Sequence, residues 1–332
     1  MKENPTKIIH VQVAETKEGK IIGVSQGQMK RIKIGNEVSL VRKGAELAVH
    51  PDYRRMGVSN SMAKIRVEQT LETGAILTHN LTSSPILIRR NEERSKDRHS
   101  PQFPHPIKQL IRINDVKKFL TYYKKRQKIT YIDALKIKTG YRALKFYNNI
   151  KHVINSSKHN SKITLNKITL FNEDIQDFWD EVKDDYDFIV ERSKDFLNWR
   201  YCDIRGGAYH KWVAKDEEGI LGYVVLRVNR LDPDHPIGYI IDLLALRDRE
   251  DVVDVLVKKA LNNFQENQVD AIYFTIISGH SYEKFMSKNG FIDSRKKPYL
   301  YYRIYREVAW VDDFVNASPE RLHYQFGEFD SI

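Results

Sequence analysis

The chain has one cysteine, Cys202, in 332 residues, so no intrachain disulfide can form. It also lacks a membrane-length apolar run: the longest candidates are broken by Asp242 or by glycines well short of the roughly 18 residues that a span needs. The first ten residues, MKENPTKIIH, contain no apolar core of a secretory signal. These absences predict a cytoplasmic protein without a membrane span. Missing too are the GK[ST] phosphate loop, the Gly-x-Ser-x-Gly elbow and the paired-histidine spacing of zinc hydrolases, so no metal is expected. Asn80, Asn155 and Asn316 open glycosylation-type triplets, which in this setting read as chance matches. Cys202, alone beside NWRY, reads as a buried thiol rather than a nucleophile.

What is present suits two domains of ordinary size, each able to bury its own core. Hydrophobic residues make up 41% and charged residues 30%. The net charge of +11 is uneven: residues 89–167 hold 21 Lys and Arg against 5 Asp and Glu. Such a stripe attracts nucleic acid, anionic lipid or phosphorylated small molecules, but it lacks the aromatic interleaving of a stacking platform and reads first as a solvated connector.

KIIHVQVA and KIIGVS are β-rich runs joined by the hairpin-type ETKEGK. A third strand, Ala45 to Val49, precedes a helix with Ser59 or Asn60 as N-cap and Gly74 as stop, and AILTHNL returns to strand. RRNEERSKDRHSPQFPHP reads as a long exposed loop, YIDALKIKTGYRALKFYNNIKHVI as an amphipathic stretch, and NSSKHNSK as a break. Residues 163 onward repeat the order of strands and helices, and VAKDEEGILGYVV answers VAETKEGKIIGVS.

The most informative stretch is LAVHPDYRRMGVSNSM, residues 47–62. An apolar run ends at Pro51, Arg54 and Arg55 precede Gly57, and a helix opens at once. Glycine lets backbone approach an anion with no Cβ in the way, and the amides that follow, at the positive end of a helix, point at it. The two arginines add charge-assisted bonds. The spacing fits R/Q-x-x-G-x-G/A, with Ser59 at the last position, and follows a close match to V-x-P-x-Y-R. In this it resembles the acyl-CoA loop of the Gcn5-related N-acetyltransferases. LTSSPILI after the next strand, and KFMSKNGF with Gly290 and Phe291, continue the resemblance. FLNWRY and YQFGEFDSI are similar to two-domain prokaryotic members linked with surface-polymer biosynthesis.

The resemblance implies an α/β fold with a mixed sheet, as two tandem domains of this kind, the first without its usual N-terminal strand and helices. It assigns 1–125 to an acyl-CoA-binding domain, 126–162 to a basic helical linker and 163–332 to a second domain. The second domain has LLALRDREDVV where the cradle belongs, with no glycine and with Asp248, Glu250 and Asp251 facing an anion. It is therefore expected to recognise the acceptor or to support the structure. Acetyl-CoA or another acyl-CoA is the implied co-substrate, held by Val49, Arg54, Arg55, Gly57, Val58, Ser59 and Asn60. The implied reaction is direct attack on the thioester by an amine of a small molecule or polymer precursor. Glu46 is the first choice for the base and His50 the second; strand alternation puts those two on one face and Val49 on the other. The tyrosine that serves the family as acid has no counterpart in IRRNEERS. Two other readings are a binding or scaffold protein that has lost turnover and a relative of the aminoacyl-tRNA-dependent peptidyl transferases, the only one of the three that favours nucleic acid.

Overall fold

A computed structural model describes residues 4–95, 102–126, 163–296, 298–306 and 316–329. The amphipathic stretch and polar break expected over 131–162 lie outside these residues. Two compact units divide the chain, and neither is continuous: one takes residues 1–107, 186–199 and 297–323, the other 108–185, 200–296 and 324–332. The division expected from the sequence follows the chain, whereas these units follow the sheets, each of which draws a strand from the other half of the sequence.

In the first unit, β1 (Ile9–Glu15) and β2 (Ile21–Ile34) form the expected hairpin, and β3 (Glu37–Val49) pairs antiparallel with β2 along its length. β3 is thus far longer than its apolar end suggested. The helix α1 (Val58–Glu72) then leads to β4 (Leu77–Thr82), which lies parallel to β3, and α2 (Pro85–Ser95) follows. Two local expectations are corrected here. Gly57, not Ser59 or Asn60, is the N-cap of α1, because only the glycine enters with a left-handed backbone, at φ 82°. Residues 89–95, the start of the expected loop, belong instead to a helix that opens at Pro85, a first-turn position where no N–H is needed.

The first sheet runs β1-β2-β3-β4-β13, with β7 (Phe188–Val190) pairing the far end of β2. β13 (Tyr299–Ile304) comes from the end of the chain and lies antiparallel to β4. The helix α5 (Lys194–Tyr201) follows β7. This sheet buries Met29, Ile32, Val41 and Leu77 together with four of its own cations, Lys30, Lys33, Arg42 and Lys43. Lys33 is satisfied by the carbonyls of Gly35 and Tyr186, at 2.7 and 2.6 Å.

The second unit is built on a seven-stranded sheet, ordered β12-β5-β11-β10-β9-β8-β6. Its strands are β5 (Ile107–Ile113), β6 (Thr164–Ile168), β8 (His210–Lys215), β9 (Ile220–Asn229), β10 (Ile237–Ala245), β11 (Ala271–Ile277) and β12 (Ile292–Asp293). β5 belongs to the first half of the sequence yet lies in this sheet. The first sheet thus takes β7 and β13 from the second half of the sequence, and the second sheet takes β5 from the first. Its helices are α3 (Val116–Lys125), α4 (Asp174–Val182), α6 (Glu250–Glu266) and α7 (Tyr282–Lys288). α6 buries Val253, Leu256, Val257, Ala260 and Phe264 at helical spacing. Gly238 permits that contact, since a Cβ there would stand 2.6 Å from the Phe264 ring. Among the described residues no helix is long and apolar enough to cross a membrane.

Candidate functional site

β3 ends at Val49, paired with Gly23, and His50 extends the ladder by donating its N–H to the Ile22 carbonyl at 2.8 Å. Pro51 cannot continue it, having no N–H, and a single 3-10 turn, Pro51–Tyr53, reverses the chain. Arg55 and Gly57 then adopt positive φ, 65° and 82°. A Cβ on Gly57 would meet nothing within 4 Å, so the requirement for glycine is conformational and the space in front of it is open. α1 starts without a side-chain cap. The amides of Asn60 and Ser61 turn back to the Gly57 carbonyl, while those of Val58 and Ser59 have no intrahelical carbonyl to reach.

These residues enclose one hollow of about 250 Å³, lined by Val49, Tyr53, Arg54, Arg55, Gly57, Val58, Ser59 and Asn60. Every residue that the sequence assigned to the cradle is on its wall. Arg54 Nε is drawn to the Val49 carbonyl at 3.3 Å, and Lys20 lies over the Tyr53 ring at 5.2 Å. Glu46 and His50 are not brought into the hollow. Glu46 is exposed, in an irregularity where Ala45 and Glu46 oppose the single residue Gln26 and the strand alternation is interrupted. His50 serves the turn: its Nδ1 accepts the Asp52 N–H at 3.4 Å.

Below the hollow, β3 and β4 are paired only from Val41–Lys43 to Leu77–His79. Beyond that ladder the two parallel strands part, and the Asn80 side chain covers Gly44 so closely that no Cβ would fit there. The other edge of β4 is filled by β13, with Tyr301 opposite Asn80. The Tyr301 hydroxyl is buried without a hydrogen-bond partner, and burial, with Glu92 second, pushes the phenol above its ordinary range.

Two residues next to these elements, Arg90 and Tyr301, were not singled out in the sequence. Arg90, on α2, donates to Ser59 Oγ at 3.1 Å and Asn60 Oδ1 at 2.8 Å. It was hidden by the loop reading of its segment, although PILIRRNEERS, opening at Pro85, carries a helix-start signal. Tyr301 was hidden by the placement of β13 in the first sheet, for which no local pattern exists.

The corresponding loop of the second unit is closed by its own charges. Asp248 takes φ 59°, Arg249 grips the Asp251 carboxylate at 2.9 and 3.0 Å, and Glu250 pairs with Lys284. β10 and β11 also part after Ile240 and Phe274, but protein fills the opening. Gln325 holds both backbone groups of Leu243, at 2.8 and 3.1 Å, and the Ala245 N–H is donated to the Tyr282 hydroxyl at 3.1 Å. Arg200 and Tyr201 are likewise spent internally, on the carbonyls of Gly327 and Phe329 and on buried Asp242. Burial raises the Cys202 thiol, as expected for an unreactive cysteine. No cluster of three metal-ligating side chains is found among the described residues.

No protein-family model and no curated protein matches the chain by sequence. Solved structures do match it by fold. A conserved Enterococcus faecalis protein of unknown function, a probable N-acyltransferase, aligns with a TM-score of 0.54 at 11% identity, over 87% of this chain and 60% of that one. A GCN5-related N-acetyltransferase from Anabaena variabilis aligns at 0.55 and 13%, over 89% and 62%. Saccharomyces cerevisiae N-myristoyltransferase with bound myristoyl-CoA aligns at 0.57 and 12%, over 88% and 66%. The chain thus spans about three fifths to two thirds of the length of these structures. At such identities the likeness is one of architecture, and with two mixed sheets and seven helices among the described residues the chain has the fold of the GCN5-related N-acetyltransferases.

Proposed function

We propose that the protein is an acyl-CoA-dependent N-acyltransferase, of tandem design, that binds its co-substrate in the first unit and transfers the acyl group to an amine of a small molecule or polymer precursor. The observation that carries the reading is the hollow at the start of α1, where the free amides of Val58 and Ser59, the open face of Gly57 and two arginines converge beside a parting pair of parallel strands. An anion of pyrophosphate size suits that donor set. Acetyl-CoA is the simplest co-substrate, and a place in surface-polymer biosynthesis in the cytoplasm fits the sequence resemblance.

The acyl thioester supplies the electrophilic carbonyl. Backbone N–H groups of β3 beyond its ladder with β4, between Gly44 and Val49, orient and polarise it. Glu46 takes the ammonium proton of the acceptor, directly or through one water, so that a nitrogen–carbon bond forms as the carbon–sulfur bond breaks. His50 is the second choice, already engaged by its turn. Tyr301 donates a proton to the departing thiolate, its raised phenol remaining protonated at neutral pH. The second unit, its loop and its strand opening both filled, serves support and acceptor recognition.

Thermal denaturation with added CoA and acetyl-CoA tests the reading, because a ligand bound only by the folded state raises Tm by mass action. A rise with both is expected. No rise with either at millimolar concentration refutes it, and steeply salt-dependent binding of tRNA instead would favour the peptidyl-transferase reading.

A further inference from the structure

The opening between β3 and β4 is built into the first sheet. Each bank is held on its far side by another strand: β3 by β2, from Gly44 opposite Gly27 to Val49 opposite Gly23, and β4 by β13, from Asn80 opposite Tyr301 to Thr82 opposite Tyr299. Between the banks the ladder stops at Lys43 and His79, and exposure changes at the same level. Val41–Lys43 and Leu77–His79 are buried, whereas Asn80 on one bank and Glu46, Leu47 and Ala48 on the other are exposed. Because both banks are paired elsewhere, the opening is a fixed feature of the sheet.

Asn80 stands at its foot. One step past the last paired residues, its carboxamide reaches across from β4 and covers Gly44 of β3: a Cβ on that glycine would lie 2.9 Å from Asn80 Cγ and closer still to Oδ1. Gly44 is not among the glycines with positive φ, so the carboxamide rather than the backbone angle requires a glycine there.

Beneath Asn80 the ladder is flanked by polar side chains on both faces. Ladder partners share a face, so Arg42 and Thr78 stand on one side and Lys43 and His79 on the other, all four buried. A hydrocarbon chain driven past Asn80 would have to displace these groups from a packed interior or lie against them.

Length determines what reaches that point. From Val49 at the hollow to Gly44 the strand covers at most about 16 Å, the reach of an extended pantetheine arm. The sulfur of such an arm comes to the level of Gly44, and the acyl carbons beyond it meet the Asn80 carboxamide.

Resting on the acyl-CoA reading of the hollow, we propose that Asn80 sets the length of the transferred acyl group, admitting the two-carbon acetyl class and excluding longer aliphatic chains. The acetyl methyl ends against the carboxamide. Each further methylene would be buried against that polar group or force it aside.

The test is calorimetric titration of the full chain with free CoA, acetyl-CoA and butyryl-CoA. Acetyl-CoA is expected to bind about tenfold or more tightly than butyryl-CoA, and Asn80→Ala, which lowers the floor, is expected to bring the two within about threefold. Equal affinity of the unaltered chain for the two thioesters, or tighter binding of butyryl-CoA, overturns the inference and leaves the CoA reading standing. A preference that survives undiminished in Asn80→Ala overturns it too. Failure of all three ligands to bind overturns both. Should Asn80→Ala not fold, Asn80→Gln, which raises the floor by a methylene, is expected to weaken acetyl-CoA about tenfold relative to free CoA, and an unchanged ratio in it overturns the assignment.

Discussion

Arg90 Nη2 donates to Asn60 Oδ1 at 2.8 Å, so the helix after the fourth strand holds the first turn of the helix that opens the loop. Nη1 of the same guanidinium binds Ser59 Oγ, the side chain that stands where the acyl-CoA pattern has glycine or alanine. The serine is thereby given a partner and its backbone amide stays directed at the hollow.

Replacement of Arg90 by methionine removes both bonds and a rim charge. Hydrogen bonds to charged groups are worth about 1.5–3 kcal/mol, so CoA affinity is expected to fall about tenfold or more, measured by calorimetry. An unchanged affinity would detach Arg90 from the site.

Gly57→Val forces a β-branched residue to φ 82° in otherwise open space. The backbone cost is about 1–2 kcal/mol, small enough for the chain to stay folded by circular dichroism. CoA binding is expected to be lost, since the valine side chain would project toward the ligand. Retained affinity would place the site elsewhere.

Tyr301→Phe removes the assigned proton donor and leaves packing nearly intact. A loss of about 10²–10⁴ in kcat with little change in KM is expected. Because burial raises the phenol above its ordinary value of about 10, the acid form persists through neutral pH, and the limb due to Tyr301 should fall only as pH rises beyond 10. A limb with a midpoint near neutrality that vanished in Tyr301→Phe would contradict the raised phenol.

In the second unit, Gln325→Leu leaves the N–H and carbonyl of Leu243 without their partner. Burying such groups unsatisfied costs about 1–3 kcal/mol each, which should appear as a lower Tm. CoA affinity should not change, because the filled opening is structural.

The hairpin of β1 and β2 and the loop at residues 50–57 were legible because their signals are local: a glycine turn, and Pro51 ahead of Gly57. The same logic exposed the acidic loop at Asp248–Asp251. α2 was obscured by a run of charges that reads as solvent-exposed loop while being compatible with a helix. Buried Arg42 and Lys43 could not be anticipated, since a charged residue in a strand reads as exposed until neighbours cover it. The placement of β5 and β13 depends on which sheet edge each strand meets, a tertiary choice that the residues of Ile107–Ile113 do not encode by themselves.

The central claim is that one of two similarly built units holds the co-substrate. Calorimetric titration of the full chain with CoA measures it through stoichiometry: the account predicts one site per chain, lost in Gly57→Val and retained in Asp251→Ala. Two sites per chain, a site that survives Gly57→Val, or no heat of binding at millimolar CoA would contradict it.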